Sequence, residues 1–148
     1  MYHDRERPDA AAYLVGGKDA PELTGTVRFY QEAGRVLVVA DVEGLPQNSE
    51  SGFFAFHIHE GSFCLGTGFP ETGGHYNPEK EDHPHHAGDL PPLLAYRGCA
   101  FLVVRTDRFR VRDIIGRTVV IHGDADDFHT QPSGNAGMKI AYGVIRKR

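Results

Sequence analysis

The chain has no tryptophan and only two cysteines and two methionines among its 148 residues. Two cysteines close at most one bridge, so stability must come mainly from a single core, which a chain of this length can bury unaided. No apolar run approaches the roughly 18 residues of a membrane span. The opening Met1-Tyr2-His3-Asp4-Arg5-Glu6-Arg7-Pro8 has no apolar stretch behind its charges. No signal peptide is therefore read here, and a cytoplasmic protein is expected, or an exported one whose leader has been removed. Net charge is -4 and lysine and arginine form no run, which argues against nucleic acid as a partner. No ten-residue stretch carries a clean helical period, so a helical fold is also excluded.

What the sequence has in quantity is glycine (18), proline (9) and histidine (9). Glycine and proline at that level describe a turn-rich protein. Six of the nine histidines fall between residues 57 and 89, a density that calls for a metal site.

Short β-rich runs recur between turn signals: Ala11–Val15, Thr24–Gln31, Arg35–Glu43, Phe53–His59, Ala100–Thr106, Thr118–His122 and Lys139–Ile145. Thr24–Gln31 and Arg35–Glu43 flank Glu32-Ala33-Gly34, which reads as a hairpin with a three-residue loop. The pattern predicts one all-β domain over residues 1–148, a sandwich or barrel, with residues 1–10 a frayed tail. Two stretches do not fit a plain barrel. Glu60 to Pro92 and Gly123 to Met138 are long loops, and loops of such length are usually functional or tied down.

Phe54-Ala55-Phe56-His57-Ile58-His59 alternates with period two. On a strand, Phe54, Phe56 and Ile58 take the core face and both histidines the other, where their rings can meet one ion or stand solvated. In the long loop, His75, His83 and His86 precede Asp89. Three imidazoles and a carboxylate form the closed tetrahedral set that structural zinc accepts, with His85 a bystander. His122 ends a β-rich run and can deliver another imidazole. Asp126 and Asp127 follow it, either as turn residues or as the outer carboxylate that fixes a ligand histidine's tautomer.

Taken in order, His57-Ile58-His59-Glu60, Gly74-His75-Tyr76-Asn77-Pro78, His86-Ala87-Gly88-Asp89-Leu90, Ile115-Gly116-Arg117-Thr118-Val119-Val120-Ile121-His122, Ala125-Asp126-Asp127 and Gly134-Asn135-Ala136-Gly137 resemble the copper/zinc superoxide dismutases. The resemblance runs from about Ala11 to Ile145. It implies a flattened eight-stranded Greek-key β-barrel with an external metal site under two long loops. It implies copper held by His57, His59, His75 and His122, and zinc held by His75, His83, His86 and Asp89, with His75 the bridge. Asp126 would link a zinc histidine to a copper one. The implied activity converts superoxide to oxygen and hydrogen peroxide by copper redox cycling, and a homodimer is among the implied assemblies. The alternative is a non-enzymatic protein of the same fold that stores or delivers copper.

The sequence departs from the family pattern in two places. Lys139 stands where the family's active-site arginine would be, which keeps the charge for attracting an anion but not the planar fork that orients it. The family's bridge from the long loop to the last strand would join Cys64 to position 142, which is Tyr142. Cys64 therefore pairs with Cys99 or stays a thiol.

Overall fold

The computed structural model describes residues 7–62 and 69–148. Among the described residues nine strands follow one another: β1 (Ala10–Gly16), β2 (Thr24–Glu32), β3 (Arg35–Glu43), β4 (Phe53–His59), β5 (Asp89–Leu94), β6 (Ala100–Thr106), β7 (Thr118–His122), β8 (Lys139–Val144) and the short β9 (Arg146–Lys147). A single helical turn, α1 (Val111–Ile114), lies between β6 and β7. The first eight strands pair antiparallel in the order β5-β4-β7-β8-β1-β2-β3-β6, and β9 adds to β1. The end strands β5 and β6 approach across a seam without pairing, which leaves an eight-stranded barrel nearly closed. This is the expected all-β barrel.

Alternation along the strands builds the core. Val27 and Phe29 of β2, Val36, Val38, Ala40 and Val42 of β3, Phe54, Phe56 and Ile58 of β4, and Val119 and Ile121 of β7 meet in one buried cluster. Each large side chain removed from it costs on the order of 3 to 5 kcal/mol. The period-two reading of β4 is correct, and it leaves His57 and His59 on the outer wall.

Several boundaries differ from those read in the sequence. Glu32 pairs with Arg35, so the hairpin loop is the two residues Ala33 and Gly34. Glu32 stays in the ladder because its carboxylate accepts from Arg35 Nε at 3.1 Å and Arg105 Nε at 2.9 Å. Ala10 already pairs with Phe29 and Asp9 donates to Phe29 O, so the chain is tied down before residue 10. The long loop is shorter than Glu60–Pro92, because β5 begins at Asp89. Pro91 and Pro92 hide this strand in the sequence, since proline cannot donate to a ladder. They are tolerated on an edge strand beside a register shift between Phe54 and Phe56.

Candidate metal centre

Each candidate histidine is delivered by an element with its own reason for being there. β4 is flanked by β5 and β7, so His57 faces Asp89 in register and His122 ends the strand alongside. The loop then folds back on the end of β4: His59 bridges His75, Tyr76 N donates to Ile58 O at 2.8 Å, and Glu60 N donates to Gly74 O at 2.9 Å. His83 and His86 follow in the same loop. Although they lie outside the barrel wall, His57 and His59 are 0% and 2% exposed, because the loops cover them.

Protons on the far side of each ring decide what the near side can do. His59 Nδ1 donates to Gly73 O at 2.7 Å, and His122 Nδ1 points at Gly137 O at 3.3 Å. A carbonyl only accepts, so both protons sit on Nδ1 and both Nε2 atoms carry lone pairs. Those two Nε2 atoms are 3.1 Å apart, with no proton available to join them. Asp126 acts similarly on two further rings. His57 Nε2 donates to Oδ2 at 2.8 Å and His83 Nε2 to Oδ1 at 2.7 Å. His57 Nδ1 and His83 Nδ1, and likewise His75 Nε2, whose ring is turned by Asp89 Oδ1 at 2.7 Å from Nδ1, are buried without a hydrogen-bond partner. Buried orphan nitrogens are costly; several converging lone pairs are what a cation needs.

Two donor sets result, each with its atoms within 4.8 Å of one another: His57, His59, His75 and His122; and His57, His75, His83 and Asp89. His57 falls in both by proximity, but its one free nitrogen can serve only one ion. His86 joins the second set through Nδ1, at 3.1 Å from His75 Nδ1 and 3.2 Å from Asp89 Oδ2. Asp89 Oδ1 lies 2.7 Å from His75 Nδ1, and Oδ2 lies 3.0 Å from His83 Nδ1. The proton now shared between His75 and Asp89 is the one a cation would displace. The structure therefore brings together His57, His59, His75, His83, His86, Asp89, His122 and Asp126, while His85 is exposed.

Burial and hydrogen bonding hold His57, His59, His86, His122, Asp89 and Asp126 in the protonation states that ligation requires. Burial pushes the imidazoles of His57 and His86 down, and His59 well down with help from His122 and His75. His122 falls to about 3, chiefly through burial and then the charge of His57. For Asp89 and Asp126 burial pulls upward, but it is outweighed by bonds from His75, and from His57 and His83, so both stay ionised. Neutral imidazoles beside ionised carboxylates suit copper and zinc, whose sites favour nitrogen donors.

The sequence assigned no role to several other supports. Arg108 Nη1 donates to Pro84 O at 2.7 Å and His86 O at 3.2 Å, clamping the loop from outside. The Arg117 guanidinium lies 4.2 Å from the Tyr76 ring centre, beside His75. Gly134 has φ +70°, and a Cβ there would strike Asp126. Backbone carbonyls such as Gly73 O and Gly137 O carry no residue signature, so of this shell the sequence pointed only to Asp126. Lys139 Nζ lies against the loop, on Thr72 Oγ1, Gly73 O and Phe69 O. Cys99 is exposed, whereas Cys64, its suggested partner, lies outside the described residues.

The fold and site define a β-barrel protein with two adjoining groups of histidine and aspartate side chains that could each hold a cation, His57 and His75 falling in both. The family model for copper/zinc superoxide dismutase (SODC) matches residues 23–145. A superoxide dismutase [Cu-Zn] of Yarrowia lipolytica is 37% identical over 155 aligned positions, covering 92% of this chain and 96% of that one. Superoxide dismutase [Cu-Zn] 2 of Aquifex aeolicus is 34% identical over 140, covering 84% and 80%. Among solved structures, a double mutant of a SOD-like protein from Bacillus subtilis superposes with a TM-score of 0.74 at 28% identity, covering 90% of this chain and 95% of that one. The chain belongs to the copper/zinc superoxide dismutase family.

Proposed function

We propose that this chain is a superoxide dismutase, converting two superoxide anions and two protons to oxygen and hydrogen peroxide. The observation that carries this reading is the convergence of unprotonated imidazole nitrogens from His57, His59, His75 and His122 on one point. Beside it, His75, His83, His86 and Asp89 surround a second point. The first set would hold copper and the second zinc. Bound copper supplies the one-electron chemistry, and zinc has none of its own.

The protein residues have separate tasks. Gly73 O and Gly137 O keep protons off the inward nitrogens of His59 and His122. Asp126 holds His57 and His83 together, so the two sites are positioned as a unit. His75 has Nδ1 committed to the Asp89 side and Nε2 without a partner, which makes Nε2 the atom suited to hold a proton for the product. Lys139 places a positive charge near an otherwise negative protein's site, and local charge is what draws a small anion in.

The test is superoxide consumption by protein carrying one copper and one zinc per chain. Rapid consumption supports the enzyme. Inactivity at full loading would leave copper storage or delivery, a reading favoured by one observation: the Lys139 ammonium faces loop oxygens. We also propose that two copies of the chain associate as a homodimer. A single-chain mass in sedimentation at micromolar concentration would refute it.

A further inference from the structure

Lys139 opens β8 opposite His122, across an irregularity in the β7–β8 ladder. An ammonium has three N–H donors and no acceptor. Three oxygens of one short segment lie around this one: Thr72 Oγ1 at 2.7 Å, Gly73 O at 3.0 Å and Phe69 O at 3.3 Å. Thr72 is fully buried, and its hydroxyl donates to Phe69 O at 2.8 Å, which leaves its oxygen to accept from Lys139. A second β8 residue reaches the same turn: the Tyr142 ring lies 5.0 Å, centre to centre, from Phe69. The segment is stitched to the end of β4 by Gly61 N to Thr72 O at 2.8 Å and Glu60 N to Gly74 O at 2.9 Å. Gly73 O also receives the Nδ1 proton of His59 at 2.7 Å. One carbonyl thus connects the Lys139 ammonium to an imidazole of the first donor set.

We propose that Lys139 is a positioning residue: seated under the Phe69–Gly73 turn, its ammonium holds the Gly73 carbonyl against His59 Nδ1 and so aims His59 Nε2 at the metal point. The inference deepens the copper-site reading and rests on it for the identity of the ion. It gives Lys139 a task other than grasping the incoming anion, because its three donors have three loop acceptors. An arginine has five N–H donors in a planar fork. At this position it could serve the same carbonyls and keep an N–H for an anion, which lysine cannot do. The ammonium still contributes attraction through its field, without orientation.

Two variants, Lys139→Met and Lys139→Arg, with Thr72→Val as a milder third, separate the two tasks. In metal-free protein, amide exchange at Glu60 and Gly61 reads the clamp, with the β2–β3 amides as the control for intact folding. Loss of hydrogen bonds to a charged donor predicts about tenfold faster exchange at those two amides in Lys139→Met. A smaller rise is expected in Thr72→Val, and near-normal exchange in Lys139→Arg. In copper- and zinc-loaded protein, the copper(II) paramagnetic resonance spectrum should change in Lys139→Met and be restored in Lys139→Arg. Azide titration should show tighter binding only in Lys139→Arg. Unchanged exchange and spectrum in Lys139→Met, with azide affinity lowered about tenfold or more, would overturn the proposal and make Lys139 an anion ligand. If the wild-type protein takes up no copper, the functional reading fails, yet the metal-free exchange still decides whether the clamp exists.

Discussion

His59 and His122 face each other nitrogen to nitrogen across 3.1 Å, each with its proton turned away toward a carbonyl. This pair makes the metal-free protein sensitive to acid. Burial holds His57, His59 and His122 below their ordinary value of 6.5, His122 at about 3. Below pH 6.5 the unfolded chain therefore binds more protons than the folded one, and stability falls as pH drops. Each fully differing proton contributes a slope of about 1.4 kcal/mol per pH unit. Asp89 and Asp126 are held below their ordinary 3.8, so the stability they add disappears only in stronger acid. Urea midpoints of stripped protein at pH 8, 6.5 and 5 should fall between the last two; a flat profile would show that the imidazoles are not buried neutral.

Asp126 is expected to govern both metals. Its two oxygens receive protons from His57 and His83, one from each donor set. Asp126→Asn keeps the size but leaves only one acceptor. Outer partners of ligand histidines are typically worth about 10- to 100-fold in affinity. Chelator competition should show both copper and zinc weakened by about that factor. Loss of one metal alone would mean that the carboxylate does not couple the sites.

His75 and His85 provide a contrast within the same loop. His75 is buried among the other rings, 4.0 Å from His57 and 5.2 Å from His86 between ring centres; His85 is exposed. His75→Ala should remove nearly all superoxide consumption and weaken zinc, whereas His85→Ala should alter neither. Zinc loss in His85→Ala, measured by metal content after dialysis, would mean that the ligand set has been misassigned.

The parts of this architecture visible in the sequence are those written in side-chain type and alternation. Phe54, Phe56 and Ile58 against His57 and His59 give away the orientation of β4, and the spacing from His75 to Asp89 marks the loop as a ligand source. β5 was hidden because Pro91 and Pro92 read as loop, while an edge position lets them sit in a strand. The hairpin loop is one residue shorter than the sequence suggests, because the ladder position of Glu32 depends on arginines from β3 and β6. The shell that sets tautomers is largely backbone carbonyl, and no residue type announces a carbonyl. Lys139 was legible as a charge but not as a contact with residues nearly seventy positions earlier.

Arg108 should control how long zinc is retained. Its Nη1 donates to Pro84 O and His86 O, both in the segment carrying His83 and His86. In Arg108→Ala those carbonyls turn to solvent and the loop opens more often, since metal affinity includes the cost of ordering the segment that supplies the ligands. Zinc release to a chromogenic chelator should quicken by about three- to tenfold, on the order expected for charge-assisted hydrogen bonds. A rate equal to wild type would assign the clamp to the metal alone.

Two glycines with nearly the same positive φ separate strain from collision. Gly34 and Gly134 have φ of +71° and +70°. A Cβ on Gly34 meets nothing within 4 Å, while one on Gly134 strikes Asp126 Oδ1 and lies 2.6 Å from His83 Nε2. Gly34→Ala thus reports only the cost of a left-handed backbone, about 1 kcal/mol. Gly134→Ala carries the same strain and must also displace the carboxylate that orients His57 and His83, for a total of about 2 to 4 kcal/mol. Urea midpoints of the two metal-free variants should differ by that excess, and only Gly134→Ala should weaken zinc. Equal losses in both would mean that Asp126 yields easily, and its hold on the two rings would then be too weak to join the sites.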